Sequence, residues 1–252
     1  MFDLIDESGA DLKRCGYRIK EAGRYGIAVA SLFVDSIEKE TGLGLKMGDY
    51  YILSSPFLHQ LGEENEAYLA SLLGRRLKNL LKKSRITKTS NILLACLGNF
   101  DIEADRLGKE VFDRVEISTT KKHNHLFKIC PNIFLYTGIE TACIIKMLVK
   151  ELKIRCVVII DSLTMSSLAR LGTSFQLSNA GMTPGSGVNR FGKAIDEKDV
   201  GCSCISIGVP FMISSLSLAK SQIDLFLAPK DVKEDIARAG RVIATAINEV
   251  LL

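Results

Sequence analysis

The sequence predicts an α/β protein: a three-layer α/β/α domain around a mostly parallel sheet, with a small β-containing element at its N-terminal end. Three observations lead there. Short, almost wholly apolar runs such as NILLACLG (91–98) and IRCVVIID (154–161) read as strands buried on both faces. They alternate with segments of helical periodicity, the order from which helix-covered parallel sheets are built. At 252 residues, with 47% hydrophobic side chains, the chain can bury one deep core without staples.

The first twenty residues show no clear period and read as an arm or leader, leaving 21–252 as a single domain. YGIAVASLFV (25–34) and DYYILSS (49–55) are apolar and partly β-branched, and the charged DSIEKETGLG between them suits a short helix closing on glycines. This opening element is either β-α-β or hairpin-like. Residues 63–83 place Leu69, Leu72, Leu73, Leu77, Leu80 and Leu81 on one helical face, with acidic residues leading and basic ones ending the helix, as its dipole prefers. The strand run at 91–98 follows, then an amphipathic ADRLGKEVFDRV (104–115), a helix over 141–152 and the strand run ending at Asp161. TSFQLSN (173–179) and CISIGVP (204–210) are further strands. The tail, 229–252, is a helix with Pro229 at its start and an apolar stripe from Val232 to Val250.

Composition excludes several classes. Five Pro against 20 Gly, with a quarter of the residues charged, fits neither a disordered nor a collagen-like chain. No apolar run approaches the ~18 residues of a membrane helix, and the acidic MFDLIDESGADLK lacks the basic and apolar regions of a secretory signal. Seven cysteines, an odd number set mostly in apolar surroundings, predict reduced core thiols in a reducing cytosol. A net charge of +4 demands neither a nucleic-acid nor a membrane partner.

In open parallel sheets the ligand crevice lies beyond the carboxyl ends of the strands. Two such ends carry carboxylates: Leu97-Gly98-Asn99 closes one strand with Asp105 opening the next helix, and Asp161 directly ends another. Each aspartate is either a helix cap or a functional group facing the crevice. The glycine-rich SNAGMTPGSGVNRFGK (178–193) has neither the P-loop Lys/Ser pattern nor a nucleophile elbow around Ser186, and reads as a structural or substrate-lining loop. His59, His123 and His125 complete no catalytic or metal-binding spacing, so no metal and no cofactor is expected. The basic cluster Arg75, Arg76, Lys78, Lys82, Lys83, Arg85 and Lys88 lacks interleaved aromatics and reads as a solvated helix end.

Taken in order, LGNFDIEADRLGKEV, YTGIETACIIK, VVIIDSLTMSSLARLGTSFQLSNAGMTPGSGV, ISIGVP and APKDVKEDIARAGRVIATAIN resemble the spore germination protease family, endopeptidases that degrade small acid-soluble spore proteins. The LGN…D…LG element is also similar to that of hydrogenase-maturation peptidases. The resemblance implies a protease of atypical aspartic type with two essential aspartates, by motif position Asp105 and Asp161. It further implies a homotetramer, a zymogen leader, and work in the cytoplasm of the forespore or spore core, with nucleic acid met only through the substrate. Thr183 stands where the family commonly has His, and only eighteen residues separate Pro210 from Pro229 where the family has a long insertion. Two carboxylates can share the proton transfers of amide hydrolysis; Asp105, at a helix N-terminus, is expected to favour its charged form and act as base, with Asp161 as acid. Backbone N–H groups of Gly98 and Asn99, or of Gly185, Ser186 and Gly187, are candidate oxyanion donors. The alternatives are a metal-dependent maturation-type peptidase using the same two aspartates as ligands, and a non-catalytic spore or nucleic-acid-binding homologue using the basic cluster.

Overall fold

The computed structural model describes residues 18–20, 24–37, 39, 45–117, 126–165, 168–185, 192–215 and 225–252. Residues 1–17 of the predicted arm or leader (1–20), the histidines at 123 and 125, and Ser186 and Gly187 lie outside them.

One mixed sheet organises the chain. Its strands are β1 (Arg18–Lys20), β2 (Ala28–Val34), β3 (Gly48–Ser54), β4 (Ile92–Cys96), β5 (Leu126–Ile129), β6 (Cys156–Met165), β7 (Ser174–Ser178), β8 (Ser203–Ser214) and β9 (Phe226–Leu227). Their spatial order is β1-β2-β3-β7-β8-β6-β4-β5, with β9 on the far end of β8. The core β8-β6-β4-β5 is parallel, and β1-β2-β3-β7 forms an antiparallel wing that joins it where β7 pairs β8. The opening element is therefore of the hairpin-like kind, Ala28 facing Ser54 in an antiparallel ladder. β1, β5 and β9 carry no sequence signal, being two to four residues long.

Helices cover the parallel core on both sides, which is why all five residues of β4 and all ten of β6 are buried. On one face lie α1 (Glu63–Lys83), α2 (Leu107–Arg114) and α6 (Val232–Leu251), packed on Ile92, Leu94, Val158, Ile160 and Ile207. The single turn α3 (Phe134–Thr137) precedes α4 (Thr141–Glu151), which covers Leu93, Ala95, Val157 and Ile159 on the other face with α5 (Glu197–Val200). Alternate residues of β4 and β6 thus enter two different cores, as the two-residue period of a strand requires. Helix α1 has Glu63, Glu64 and Glu66 in its first turn and Lys82 and Lys83 in its last. Glu66 holds α6 through Arg238, at 2.6 Å, and Arg241, at 3.2 Å. The basic cluster is partly used inside the molecule: Arg76 lies 5.4 Å over the Tyr51 ring, and Lys83 pairs with Asp49.

Two corrections to the expected boundaries bear on function. Asp161 does not end its strand, because β8 continues beside β6 as far as the pair Met165–Ile213 and keeps that chain extended. Asp105 does not open its helix. It closes a 3₁₀ turn (Glu103–Asp105), and α2 starts at Leu107.

Helical glycines at two positions answer opposite packing demands. A Cβ at Gly108 would sit 2.1 Å from the Leu97 carbonyl oxygen, so α2 could no longer lie against the end of β4. At Gly74 the nearest atom would be Val250 Cγ2 at 3.4 Å, an ordinary contact. Gly74→Ala is expected to leave stability unchanged or raise it by up to about 1 kcal/mol, through helix propensity. Gly108→Ala is expected to lower it by about 2 kcal/mol or more, through overpacking against backbone. Urea denaturation of the two variants beside wild type measures both.

Candidate active site

The cavity that holds the predicted site exists because two adjacent parallel strands differ in length. β4 pairs with β6 only as far as Cys96–Ile160, with one further bond from Leu97 N to Ile160 O at 2.8 Å. β6 goes on, and Asp161 is its first residue beyond that ladder. The chain of β4 turns out of the sheet at Gly98, whose φ of 131° belongs to glycine. A Cβ there would lie 2.0 Å from the Asp105 carbonyl oxygen, so only glycine lets the 98–99 backbone cross the 103–105 turn. That crossing brings the Asn99 N–H to the Asp105 carboxylate, 2.8 Å from Oδ2.

The result is a cavity of about 940 Å³ lined by Asp105, Asp161, Gly98, Asn99 and Gly185 together. The cap reading of Asp105 fails on geometry. The N-cap of α2 is Arg106 and receives no side-chain hydrogen bond, while the Leu107 N–H reaches the Ser162 hydroxyl instead, at 3.4 Å. Asp161 lies inside a strand, 8% exposed, and does not stand at the start of a described helix. Opposite it in the ladder stands Gly208, where a Cβ would strike the Leu163 side chain at 2.7 Å, so the absent side chain leaves that floor of the cavity low.

Electrostatics correct the expected state of Asp105. Burial pushes its carboxyl up from 3.8 to about 6, and the hydrogen bond from Asn99 N–H only partly opposes that. The helix N-terminus that was expected to favour the charge begins two residues later and is served by Ser162. For the same reason Asn99 N–H is not an open oxyanion donor, since it is spent on Asp105. Gly98 and Gly185 still border the cavity.

Several lining residues carried no functional expectation. Ser162, Leu163 and Thr164 follow Asp161 along β6; Lys46 pairs with Asp196 at 2.5 Å; Gln176 and Ser178 come from β7, and Glu140 and Thr141 from the start of α4. Glu140 and Thr141 belong to the TGIET motif, which contributed to the family resemblance without an assigned role. Ile133, Phe134 and Leu135 form an apolar wall, Leu135 being 73% exposed.

Other chemistries find little support in the geometry. His59 is held on α6, its backbone N–H 2.8 Å and its ring Nδ1 3.1 Å from Asp235, and is absent from the cavity lining. Cys96, Cys156 and Cys204 are buried, and burial pushes their thiols well up, away from the thiolate form. The six described cysteines are unpaired. Among the described residues, no three His, Cys, Asp or Glu side chains are grouped to hold a metal ion, and no helix is long and apolar enough to cross a membrane.

Comparison with known proteins completes the picture. The germination protease of Oceanobacillus iheyensis is 30% identical over 227 residues, which are 84% of this chain and 60% of that protein. That of Caldanaerobacter subterraneus subsp. tengcongensis is 29% identical over 233 residues, 88% of this chain and 70% of the relative. That of Bacillus cereus (strain AH187) is 28% identical over 227 residues, again 60% of its length. The chain thus spans about 60–70% of the length of these relatives. Among solved structures, a [NiFe] hydrogenase maturation protease, HycI, from Thermococcus kodakarensis KOD1 matches 68% of this chain and 97% of its own, with a TM-score of 0.40 and 19% identity. The architecture described above rests on the strand pairings and not on that likeness. The family model for germination protease matches residues 6–249, almost the whole sequence, and this chain belongs to the germination protease family.

Proposed function

We propose that the chain is an endopeptidase that hydrolyses small acid-soluble spore proteins, with Asp105 and Asp161 activating water and serving the leaving amine. The observation that carries this reading is that both aspartates line one cavity and neither stands at the N-cap position of a described helix. Family membership supplies the reaction class.

The chemistry follows from the surroundings of each group. A carboxyl with a pKa of about 6 is mostly ionised at neutral pH, yet is a stronger base than an ordinary aspartate. Asp105 therefore takes the proton of the attacking water, held in place through Oδ2 by Asn99 N–H. Asp161, at the head of the uncovered stretch of β6, gives a proton to the departing amine.

Asp105→Asn and Asp161→Asn are each expected to lower cleavage of a small acid-soluble spore protein a thousandfold or more, about 4 kcal/mol in barrier. The substituted amide at 105 can still accept from Asn99 N–H, so folding should survive, as circular dichroism would show. Serine- and thiol-directed reagents should have little effect. Retained activity in a stably folded double variant would remove the proposal.

The raised pKa of Asp105 has consequences for rate and for stability, of opposite sign. The rate constant kcat/KM should climb with pH through about 6 as the base ionises. Stability should fall over the same window, because the folded state holds the proton up to about 6 while the unfolded chain releases it near 3.8. The penalty is absent below pH 3.8 and complete above 6. Relative to wild type, Asp105→Asn should accordingly gain stability between pH 4 and pH 7, on the order of 2 kcal/mol. Urea midpoints at the two pH values give the difference.

The family likeness also supports an oligomeric working form in the spore interior. Light scattering is expected to give about four times the chain mass of 27.7 kDa, and a monomer mass would remove that part of the proposal.

A further inference from the structure

We infer that the substrate is bound as an extended strand, hydrogen-bonded to the edge of β6 that β4 leaves uncovered just beyond Asp161. The inference rests on the peptidase reading for the identity of the occupant, and on strand geometry for everything else.

Four consecutive residues of β6, Asp161, Ser162, Leu163 and Thr164, line the cavity. Side chains of a strand alternate between faces, so a cavity above one face would meet only every second residue. A cavity that meets all four reaches the edge of the strand as well as the face that Asp161 shares with Gly208 and Gln176. Leu97 N donates to Ile160 O at 2.8 Å, which fixes the backbone of Ile160 toward β4. By alternation the N–H and C=O of Ser162 and Thr164 face the same way, while those of Asp161 and Leu163 face β8. Among the described residues, β6 has no strand beside 161–165 on that side, because the β4 ladder ends at Cys96.

An extended polypeptide satisfies such an edge, two residues per repeat, as strand addition does elsewhere. A helical segment cannot, since its own N–H and C=O groups are already bonded. The occupant is thus an unfolded stretch of substrate. Its peptide bond at the head of the edge lies beside Asp161. The wall of Ile133, Phe134 and Leu135 is apolar and accepts side chains from one face of the bound strand.

The test uses the full chain carrying Asp105→Asn and Asp161→Asn, so that the probe is not consumed. The probe is a fluorescein-labelled twelve-residue peptide from a small acid-soluble spore protein, N-methylated at one backbone nitrogen at a time, with binding read by anisotropy. N-methylation at alternate positions on one side of a central bond is expected to weaken binding tenfold or more, and at the intervening positions less than threefold. A flat profile, a contiguous block of sensitive positions, or no binding at millimolar peptide overturns the inference. Cleavage by wild type and by each single aspartate variant judges the peptidase reading separately. A two-residue pattern without aspartate-dependent cleavage keeps the strand and removes the enzyme. Aspartate-dependent cleavage with a flat profile does the reverse.

Discussion

Everything at the site depends on a difference in length between two neighbouring parallel strands. β4 leaves the sheet after Cys96, while β6 is kept extended to Met165 by its ladder with β8. Where the shorter strand departs, a slot opens beside the longer one, and the backbone that departs must go somewhere. It crosses the 103–105 turn so closely that residue 98 can only be glycine, and that contact places Asp105 against Asn99 N–H and into the slot. Asp161 reaches the same slot from the other side without any special local geometry. It is simply the first residue past the end of the ladder.

The packing around this slot explains why it is stable. Helix α2 lies against the end of β4 through Gly108, and its first N–H is taken by the hydroxyl of Ser162, the residue after Asp161. The two aspartate-bearing segments are therefore tied to each other by backbone contact and by one hydrogen bond. Burial is what gives the site its chemistry. The same desolvation that lifts the Asp105 carboxyl to about 6 leaves it more basic than an ordinary aspartate and a burden on the fold. Most of the stability that carries such a burden comes from cores formed elsewhere, by α1 and α6 on one face and α4 on the other.

The antiparallel wing serves the site less directly. β7 couples it to the parallel core by pairing with β8 at Gln176–Ser178, opposite Gly208, Ile207 and Ser206. That junction sets Gln176 and Ser178 into the cavity wall and makes the sheet continuous from β1 to β5. The wing also absorbs side chains that in isolation look like binding groups. Arg76 rests over Tyr51 and Lys83 pairs with Asp49. A cluster of charge in the sequence is in this way divided among separate structural tasks.

By itself the sequence determined the alternation of buried strands and amphipathic helices and the long helices at 63–83 and near the C-terminus, and it singled out the two aspartates that the fold brings to one cavity. Those features are local or periodic: apolar runs, the 3.6-residue stripe of Leu69 to Leu81, and short motifs such as D-R-L-G. Other features depended on partners distant in the chain. Whether β6 stops at Asp161 is decided by β8, more than forty residues later, and the short β5 exists because β4 offers it an edge. Likewise, nearness to a helix start suggests a lowered pKa for Asp105, whereas burial raises it, because desolvation is set by what packs over a carboxyl and not by its neighbours in sequence. The fate of Asn99 N–H followed the same rule: Gly98 makes the approach possible, but only the folded contact shows that the donor is already spent. Periodicity names the elements; the relative lengths and ends of neighbouring strands, which are tertiary properties, make the cavity.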